Sequence, residues 1–336
     1  MHHSLGHLSL ALSLTSTIAC VPMMEEAGQT AQATVCPIEE CGGNAAIAGF
    51  LRVGEGHIAT AGPNQPNAWG VRLVRYAKPS VGGNYTLSVE NGQFQATDGA
   101  TVLTGTDLLT GILRFEDLGG NTSTVEFVGI DSVQSWTANP YNITRYKLAL
   151  RNSDGTATPI CSDATSIHDP NAWAVVISGE RYDWPSKSVL ASGAQGDGWF
   201  NIVCVGHGLY KMKLMGYDPE PSPASSFATT DDERQATLKM ITADYCGTGT
   251  GFTENGTSLE WRNVENWSFN YTGEAGNREA VWGPTGALCL DTPRLGQSER
   301  SAIIDECQNA GVTLPPCHTI GQPTDMEWSS HVPISQ

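Results

Sequence analysis

The sequence has few charged residues, and positive charges are the scarcest. Of 336 residues, 18 are Lys or Arg and 35 are Asp or Glu, which gives a formal net charge of −17. Such a charge repels the phosphates of nucleic acids and anionic bilayers, so we predict no nucleic-acid partner. The body of the chain contains no run of about 18 apolar residues, which excludes a membrane-spanning helix there.

Motifs that mark several enzyme classes and metal sites are also missing. The sequence contains no GxSxG, HExxH or GxxxxGK[ST] motif and no CxxC pair. Cys204 and His207 are close in sequence, but no second pair with zinc-ligand spacing follows. The glycine-rich segments 193–198 and 247–251 match no phosphate-binding pattern and are interpreted as surface turns. The sequence therefore predicts neither a metal nor another cofactor.

The N-terminal segment has the pattern of an export signal. Residues 1–23 contain no Asp, Glu, Lys or Arg, residues 8–14 form a short apolar stretch, and small residues precede Cys20. This resembles a bacterial lipoprotein signal, in which the cysteine becomes the new N-terminus and carries lipid. We expect a signal peptide at 1–19 and a lipid anchor at Cys20 followed by a flexible tether to residue 45. The alternative is an ordinary secretory signal with an incidental cysteine.

Cysteine usage agrees with export. If Cys20 carries lipid, eight cysteines remain, an even number that can pair in an oxidising compartment. Short spacing suggests that Cys36 pairs with Cys41 and Cys307 with Cys317. The other four would then cross-link the body of the protein: they are Cys161, Cys204, Cys246 and Cys289. The alternative is a cytosolic protein with nine free thiols.

The residue pattern changes from strand-like to helix-like near residue 190. Residues 46–190 consist of short β-branched runs broken by Gly, Asn and Pro, with candidate strands at 69–76, 85–89, 110–116, 123–130, 146–151 and 173–178. Candidate helices follow at 206–215, at 230–245 with Thr229 or Thr230 as the cap, and at 298–310 with Ser298 as the cap and Gly311 as the stop. We predict an α+β fold whose β-rich N-terminal half is a small antiparallel sheet or barrel.

One string in the second half carries a family resemblance. Residues 243–247 read Ala-Asp-Tyr-Cys-Gly, and they are accompanied by characteristic segments at 159–161, 200–204 and 279–289. Together these resemble the ADYC domain, found mainly in exported and lipoprotein-like proteins of myxobacteria, over roughly residues 100–295. The resemblance implies export and a fold but no reaction.

The resemblance also implies a region in the second half of the chain and two disulfide pairs. It places a disulfide-linked, helix-containing ADYC motif region at 191–295. The candidate helix at 298–310 and the short spacing of Cys307 and Cys317 predict a C-terminal helix and disulfide-bearing tail at 296–336. The resemblance suggests that Cys246 pairs with Cys289 and Cys161 with Cys204.

Two kinds of catalytic centre remain open as alternatives. Cys246 is a candidate nucleophile with His57, His168 or His207 as its base, but a helix C-terminus raises a thiol pKa, so a disulfide is preferred. The candidates for a carboxylate pair that could carry out hydrolysis are Asp197, Asp244, Glu254, Glu260 and Asp291.

From the signal, the cysteines and the resemblance together, we expect an exported, lipid-anchored envelope protein that binds an unknown envelope partner or ligand or has a structural role. Its location would be the outer membrane or cell surface, otherwise the periplasm or the medium, and an exported hydrolase is the alternative.

Overall fold

The structure is a computed structural model of the chain. It describes residues 57–59, 66, 70–137, 139–152, 154–161, 164–183, 186–191, 199–219, 229–254, 257, 259–263, 268–269, 277–321 and 326–333. The expected signal peptide and tether, with Cys20, Cys36 and Cys41, lie outside these residues. Among the helices in the described ranges, none has the length and apolar character needed to span a membrane.

An antiparallel sheet of eight strands forms most of the N-terminal half. Its strands are β1 (His57–Ala59), β2 (Arg72–Ala77), β6 (Ile112–Glu116), β7 (Thr122–Gln134), β8 (Asn142–Arg151), β9 (Ala157–Pro159), β10 (Trp173–Ser178) and β13 (Trp199–Cys204). Their order is β1-β13-β10-β8-β7-β6-β2, and β9 also pairs with β8. The Cα atoms of the edge strands β1 and β2 approach within 8 Å, so the sheet curls toward a barrel.

The other described strands form three smaller antiparallel sheets. The three-stranded sheet contains β3 (Thr86–Glu90), β4 (Gln93–Thr97) and β5 (Val102–Thr104), and the two-stranded sheet contains β11 (Arg181–Asp183) and β12 (Ser188–Ala191). The five-stranded sheet contains β14 (Glu260–Asn263), β15 (Ser268–Phe269), β16 (Arg278–Gly283), β17 (Gly286–Leu290) and β18 (Trp328–His331). Its order is β15-β14-β18-β16-β17, so a strand from the end of the chain lies at the centre of this sheet.

Within the described part of the second half there are three α-helices: α1 (Gly208–Leu214), α2 (Asp231–Thr242) and α3 (Arg300–Asn309). Helix α2 begins with a capping box, in which Thr230 accepts from the Glu233 N–H and Glu233 accepts from the Thr230 N–H. Helix α3 begins two residues after its predicted cap, because Ser298 lies in a short 3₁₀ turn that precedes it.

Two hydrophobic cores share the strands β10 and β13. Val175 and Val203 pair across these strands and face a core made with the helices and the five-stranded sheet. The next pair, Val176 and Ile202, faces a second core under the three-stranded sheet. Alternate residues of one strand therefore pack into different cores, which explains why both strands are apolar without alternation.

The predicted α+β class is confirmed, with antiparallel sheets in the first half and a disulfide-linked helical region in the second. All six candidate strands and all three candidate helices are present, with ends that differ by a few residues. The strands that were not predicted are mostly those of the smaller sheets.

Candidate functional site

The motif segment, residues 243–246, ends helix α2 and leads into a buried turn. Ala243 adopts the left-handed conformation with φ 52°, so the helix stops three residues before the predicted end at residue 245. Asp244, Tyr245 and Cys246 follow, and all three are buried. Each of these three side chains makes a specific contact with another part of the fold.

Asp244 holds the turn against the helix. One of its carboxylate oxygens, Oδ2, accepts from Lys239 Nζ at 2.7 Å and from the backbone N–H of Gly249 at 2.9 Å. The same ammonium donates to the carbonyl of Ser186 at 2.7 Å. Lys239 Nζ and Asp244 Oδ2 therefore each have a second hydrogen-bond partner, whereas Asp244 Oδ1 is buried with no partner among the described residues.

Tyr245 connects the turn to a second buried ion pair. Its hydroxyl donates to Glu279, whose two carboxylate oxygens accept from Arg294 at 2.6 and 2.9 Å. The Glu279 and Arg294 side chains are fully buried, and Arg294 also donates to the carbonyl of Met240 at 2.9 Å. The tyrosine ring stacks on Trp282 with the centroids 5.0 Å apart. Burial and the adjacent charge of Glu279 raise the pKa of Tyr245 well above its usual value, so the hydroxyl remains a donor.

Replacing Tyr245 by Phe isolates the hydroxyl, because the ring keeps its packing. We expect the free energy of unfolding to fall by about 1 kcal/mol, the usual net value of one hydrogen bond. The matched control is Tyr85→Phe, since the Tyr85 hydroxyl has no hydrogen-bond partner among the described residues and its loss is expected to change little. Urea unfolding measures both variants, and equal stabilities for the two would contradict the assigned role of the Tyr245 hydroxyl.

The residue after the motif segment is held by close backbone contact. Gly247 has φ +71°, and a Cβ atom there would lie 2.0 Å from the carbonyl oxygen of Thr285. In the same contact, the carbonyl of Tyr245 accepts from the N–H of Ala287 at 2.9 Å. The turn therefore requires glycine at position 247 to lie directly on the β16–β17 hairpin.

All six cysteines in the described ranges form disulfides. The pairs are Cys161–Cys204, Cys246–Cys307 and Cys289–Cys317. The first pair is the expected one, whereas the expected pairs Cys246–Cys289 and Cys307–Cys317 are wrong. The expected Cys36–Cys41 pair lies outside the described residues.

The two faces of the β16–β17 hairpin explain why Cys246 does not pair with Cys289. Cys289 is the cross-strand partner of Val281, and both pack with Cys317 in a small separate cluster. The next residue of β16, Trp282, faces the core that contains Cys246. Cys246 and Cys289 therefore lie on different faces of the hairpin, because side chains alternate along a strand.

The structure shows where the candidate nucleophile and its three candidate bases lie. Cys246 is bonded to Cys307 and is not a free thiol. His207 is buried before α1, His168 is exposed, and His57 lies in β1, where its side chain is outside the description. Asp244 belongs to the ion pair described above.

The other candidates for a catalytic carboxylate pair lie in different parts of the chain. Asp291 accepts from the N–H of Cys317 at 2.8 Å. Glu260 is buried in β14, Glu254 is exposed, and Asp197 lies outside the described residues. Within the ranges that the structure covers, no cluster of three His, Cys, Asp or Glu side chains is arranged to hold a metal ion.

A polar groove lies between the β3–β4 turn, the start of β8 and the end of α1. It encloses about 220 Å³. Its floor is the buried ion pair between Lys213 and Asp218, whose side chains are 4% and 7% exposed. The turn residue Gly92 lies directly above this pair, since a Cβ atom there would be 2.7 Å from Lys213 Nζ. Burial, then the charge of Asp218, raises the pKa of Tyr141 in the groove wall to about 12, so its hydroxyl is protonated at neutral pH.

The turn beside this groove has a signal in the sequence that the strand predictions above do not include. Asn91-Gly92 is the dipeptide most typical of a two-residue hairpin, and both residues have the positive φ of a type I′ turn. The ion pair gave a weaker signal, a lysine at position 213 within a helix whose other residues, apart from Lys211, carry no charge. Its partner Asp218 lies beyond the helix end, where helical spacing does not predict contact.

Lys211, two residues before Lys213, is a buried amine without an acceptor. Its side chain is 2% exposed, and Nζ has no hydrogen-bond partner among the described residues. Burial, with repulsion from Arg294, lowers the pKa of Lys211 to about 7. The folded protein therefore binds a proton at this position less readily than the unfolded chain does.

Lys211→Met is expected to stabilise the protein at neutral pH by at least about 1 kcal/mol, because it removes a poorly solvated amine. As the pH falls from about 10.4, the unfolded chain gains a proton on this lysine that the folded chain lacks, so wild-type stability falls until about pH 7. The advantage of the variant should thus grow from pH 10 to pH 7 and then level off. Urea unfolding of both proteins across this range measures it, and an advantage independent of pH would contradict the assignment.

Comparison with known proteins identifies a family. The family model of the ADYC domain matches residues 105–296, which is more than half of the chain. The matched range includes the motif segment, the groove floor and the Glu279–Arg294 pair. Searches of the curated proteins and of the solved structures gave no match. The chain belongs to the ADYC domain family.

Proposed function

We propose that the chain is an exported, lipid-anchored envelope protein whose disulfide-stabilised domain has a binding role. The observation that carries the export proposal is the pairing of all six described cysteines. Disulfides of this kind persist in oxidising compartments and are rare in the cytosol. A bacterial protein with these cross-links would fold outside the cytoplasm.

The chemistry of the motif segment favours binding over turnover. One carboxylate oxygen of Asp244, the hydroxyl of Tyr245 and the sulfur of Cys246 make structural contacts with Lys239, Glu279 and Cys307. A catalytic group must instead reach substrate and change its protonation or bonding during a cycle. The motif segment therefore stabilises the domain, and the groove beside the β3–β4 turn has the free polar groups that a binding site needs.

The lipid anchor is proposed from the sequence. The apolar stretch at 8–14 and the small residues before Cys20 are typical of a lipoprotein signal. Residues 20–45 would then form a polar tether between the lipid and the domain. Membrane attachment through one cysteine leaves the domain free to meet a ligand or an envelope partner.

Fractionation of a Gram-negative host that expresses the full chain tests the proposal. We expect the wild-type protein in the membrane fraction, without residues 1–19 and with a lipid mass on Cys20. The Cys20→Ser variant should lose both the lipid and the membrane association. A wild-type chain that stays in the cytosol with residues 1–19 attached would contradict the proposal.

A further inference from the structure

We propose that the groove beside the β3–β4 turn binds a neutral saccharide, with one sugar ring seated beside the Lys213–Asp218 pair. This inference names a ligand class for the binding role proposed above and rests on that role. The groove of about 220 Å³ is smaller than the usual 300–1,000 Å³ of sites for drug-sized ligands. Its size suits a single ring, either a monosaccharide or the end of a longer glycan.

The charges of the groove disfavour an anion. Lys213 is neutralised by Asp218, and Glu90 at the rim adds one further negative charge. One cation and two carboxylates give the lining a net charge of −1, within a protein whose formal charge is −17. A phosphate or carboxylate ligand would be repelled, whereas an uncharged polyol would not.

The walls carry hydrogen-bonding groups that are free to meet hydroxyls. The side-chain amides of Asn91, Gln93 and Gln95 make no hydrogen bond to other described residues, and neither does the hydroxyl of Thr144 on the opposite wall. An amide offers donors and an acceptor side by side, and adjacent sugar hydroxyls present the same alternation. The donors and acceptors in the walls can therefore form hydrogen bonds with the hydroxyls of a sugar ring.

Lys213 in the floor of the groove and Tyr141 in its wall offer two further contacts to a sugar. The ammonium of Lys213 can donate three hydrogen bonds, and Asp218 accepts one of them. The half-buried ring of Tyr141 offers an apolar face to the C–H groups of a sugar, beside a hydroxyl that donates and accepts. A neutral ligand with one apolar face and several hydroxyls uses all of these groups, whereas a purely apolar ligand would leave them unpaired.

NMR titration of the purified full chain with glucose, galactose, mannose and N-acetylglucosamine tests the proposal. We expect at least one sugar to bind with a Kd of about 1 mM or tighter. The double variant Gln93→Ala/Gln95→Ala should weaken binding by about tenfold. Thr144→Val, a near-isosteric change on the opposite wall, should also weaken binding, while the exposed Gln308→Ala on α3 serves as the matched control and should not.

Each contrary result would overturn the proposal. Failure of all four sugars to bind would do so, as would binding that is unchanged in both the double variant and Thr144→Val. Parallel titrations with inorganic phosphate and with putrescine cover an anion and an amine, and binding of either one in place of the sugars would reject the saccharide class. Melting curves of the variants separate lost binding from lost folding. Because the titration uses purified protein, its failure would leave the proposed export and anchoring unaffected.

Discussion

Removal of the Cys246–Cys307 disulfide is expected to lower the free energy of unfolding by about 4 kcal/mol. The bond closes a loop of sequence separation 61, and opening such a loop restores conformational freedom to the unfolded chain. Domains of this kind have total stabilities of about 5–15 kcal/mol, so the loss is a large fraction. Guanidinium unfolding of Cys246→Ala/Cys307→Ala against the wild type measures it.

Reductant provides the control for this variant. The reduced wild type and the reduced variant should unfold at similar denaturant concentrations, because both then lack the cross-link. Hydrogen exchange adds a local readout, since the disulfide joins the motif segment to α3 and its loss should speed amide exchange in that helix. A variant as stable as the oxidised wild type would show that the bond does not hold the domain together.

Replacing Glu279 by Ala is expected to cost about 3–5 kcal/mol. The substitution leaves the guanidinium of Arg294 fully buried without its carboxylate, and it also removes the acceptor of the Tyr245 hydroxyl. An uncompensated buried charge carries a far larger penalty than the loss of an exposed pair. Denaturant unfolding, with the melting temperature as a second readout, measures the loss.

Two further variants distinguish burial from charge. Glu116→Ala breaks the partly exposed pair with Arg72, at 2.6 Å, and should cost less than about 1 kcal/mol. Glu279→Met/Arg294→Met removes both buried charges and should be more stable than Glu279→Ala alone. If Glu279→Ala is no more destabilising than Glu116→Ala, the buried network does not have the role described.

Local patterns in the sequence predicted local structure well. Strand β10 was predicted at its observed limits, because a run of β-branched residues bounded by turn residues has few other solutions. Helix α2 was predicted from its cap and its acidic first turn, and both are present. In these elements the neighbouring residues alone specify the conformation.

Features that depend on distant residues were predicted poorly. Strand β18 reads Trp-Ser-Ser-His, and only its place between β14 and β16 makes it a strand. The Glu279–Arg294 pair and the correct partner of Cys246 depend on how the β16–β17 hairpin meets α2 and α3. The spacing of cysteines in the sequence does not show on which face of a hairpin each cysteine lies.

Buried disulfides and ion pairs around the motif segment hold the domain together, and we propose that this domain works outside the cytoplasm. Non-reducing peptide mass mapping of the mature protein tests it most directly. We predict linked peptides that contain Cys161 with Cys204, Cys246 with Cys307, and Cys289 with Cys317, together with a lipid-modified N-terminal Cys20. A mature chain with reduced cysteines and an unprocessed N-terminus would contradict the account.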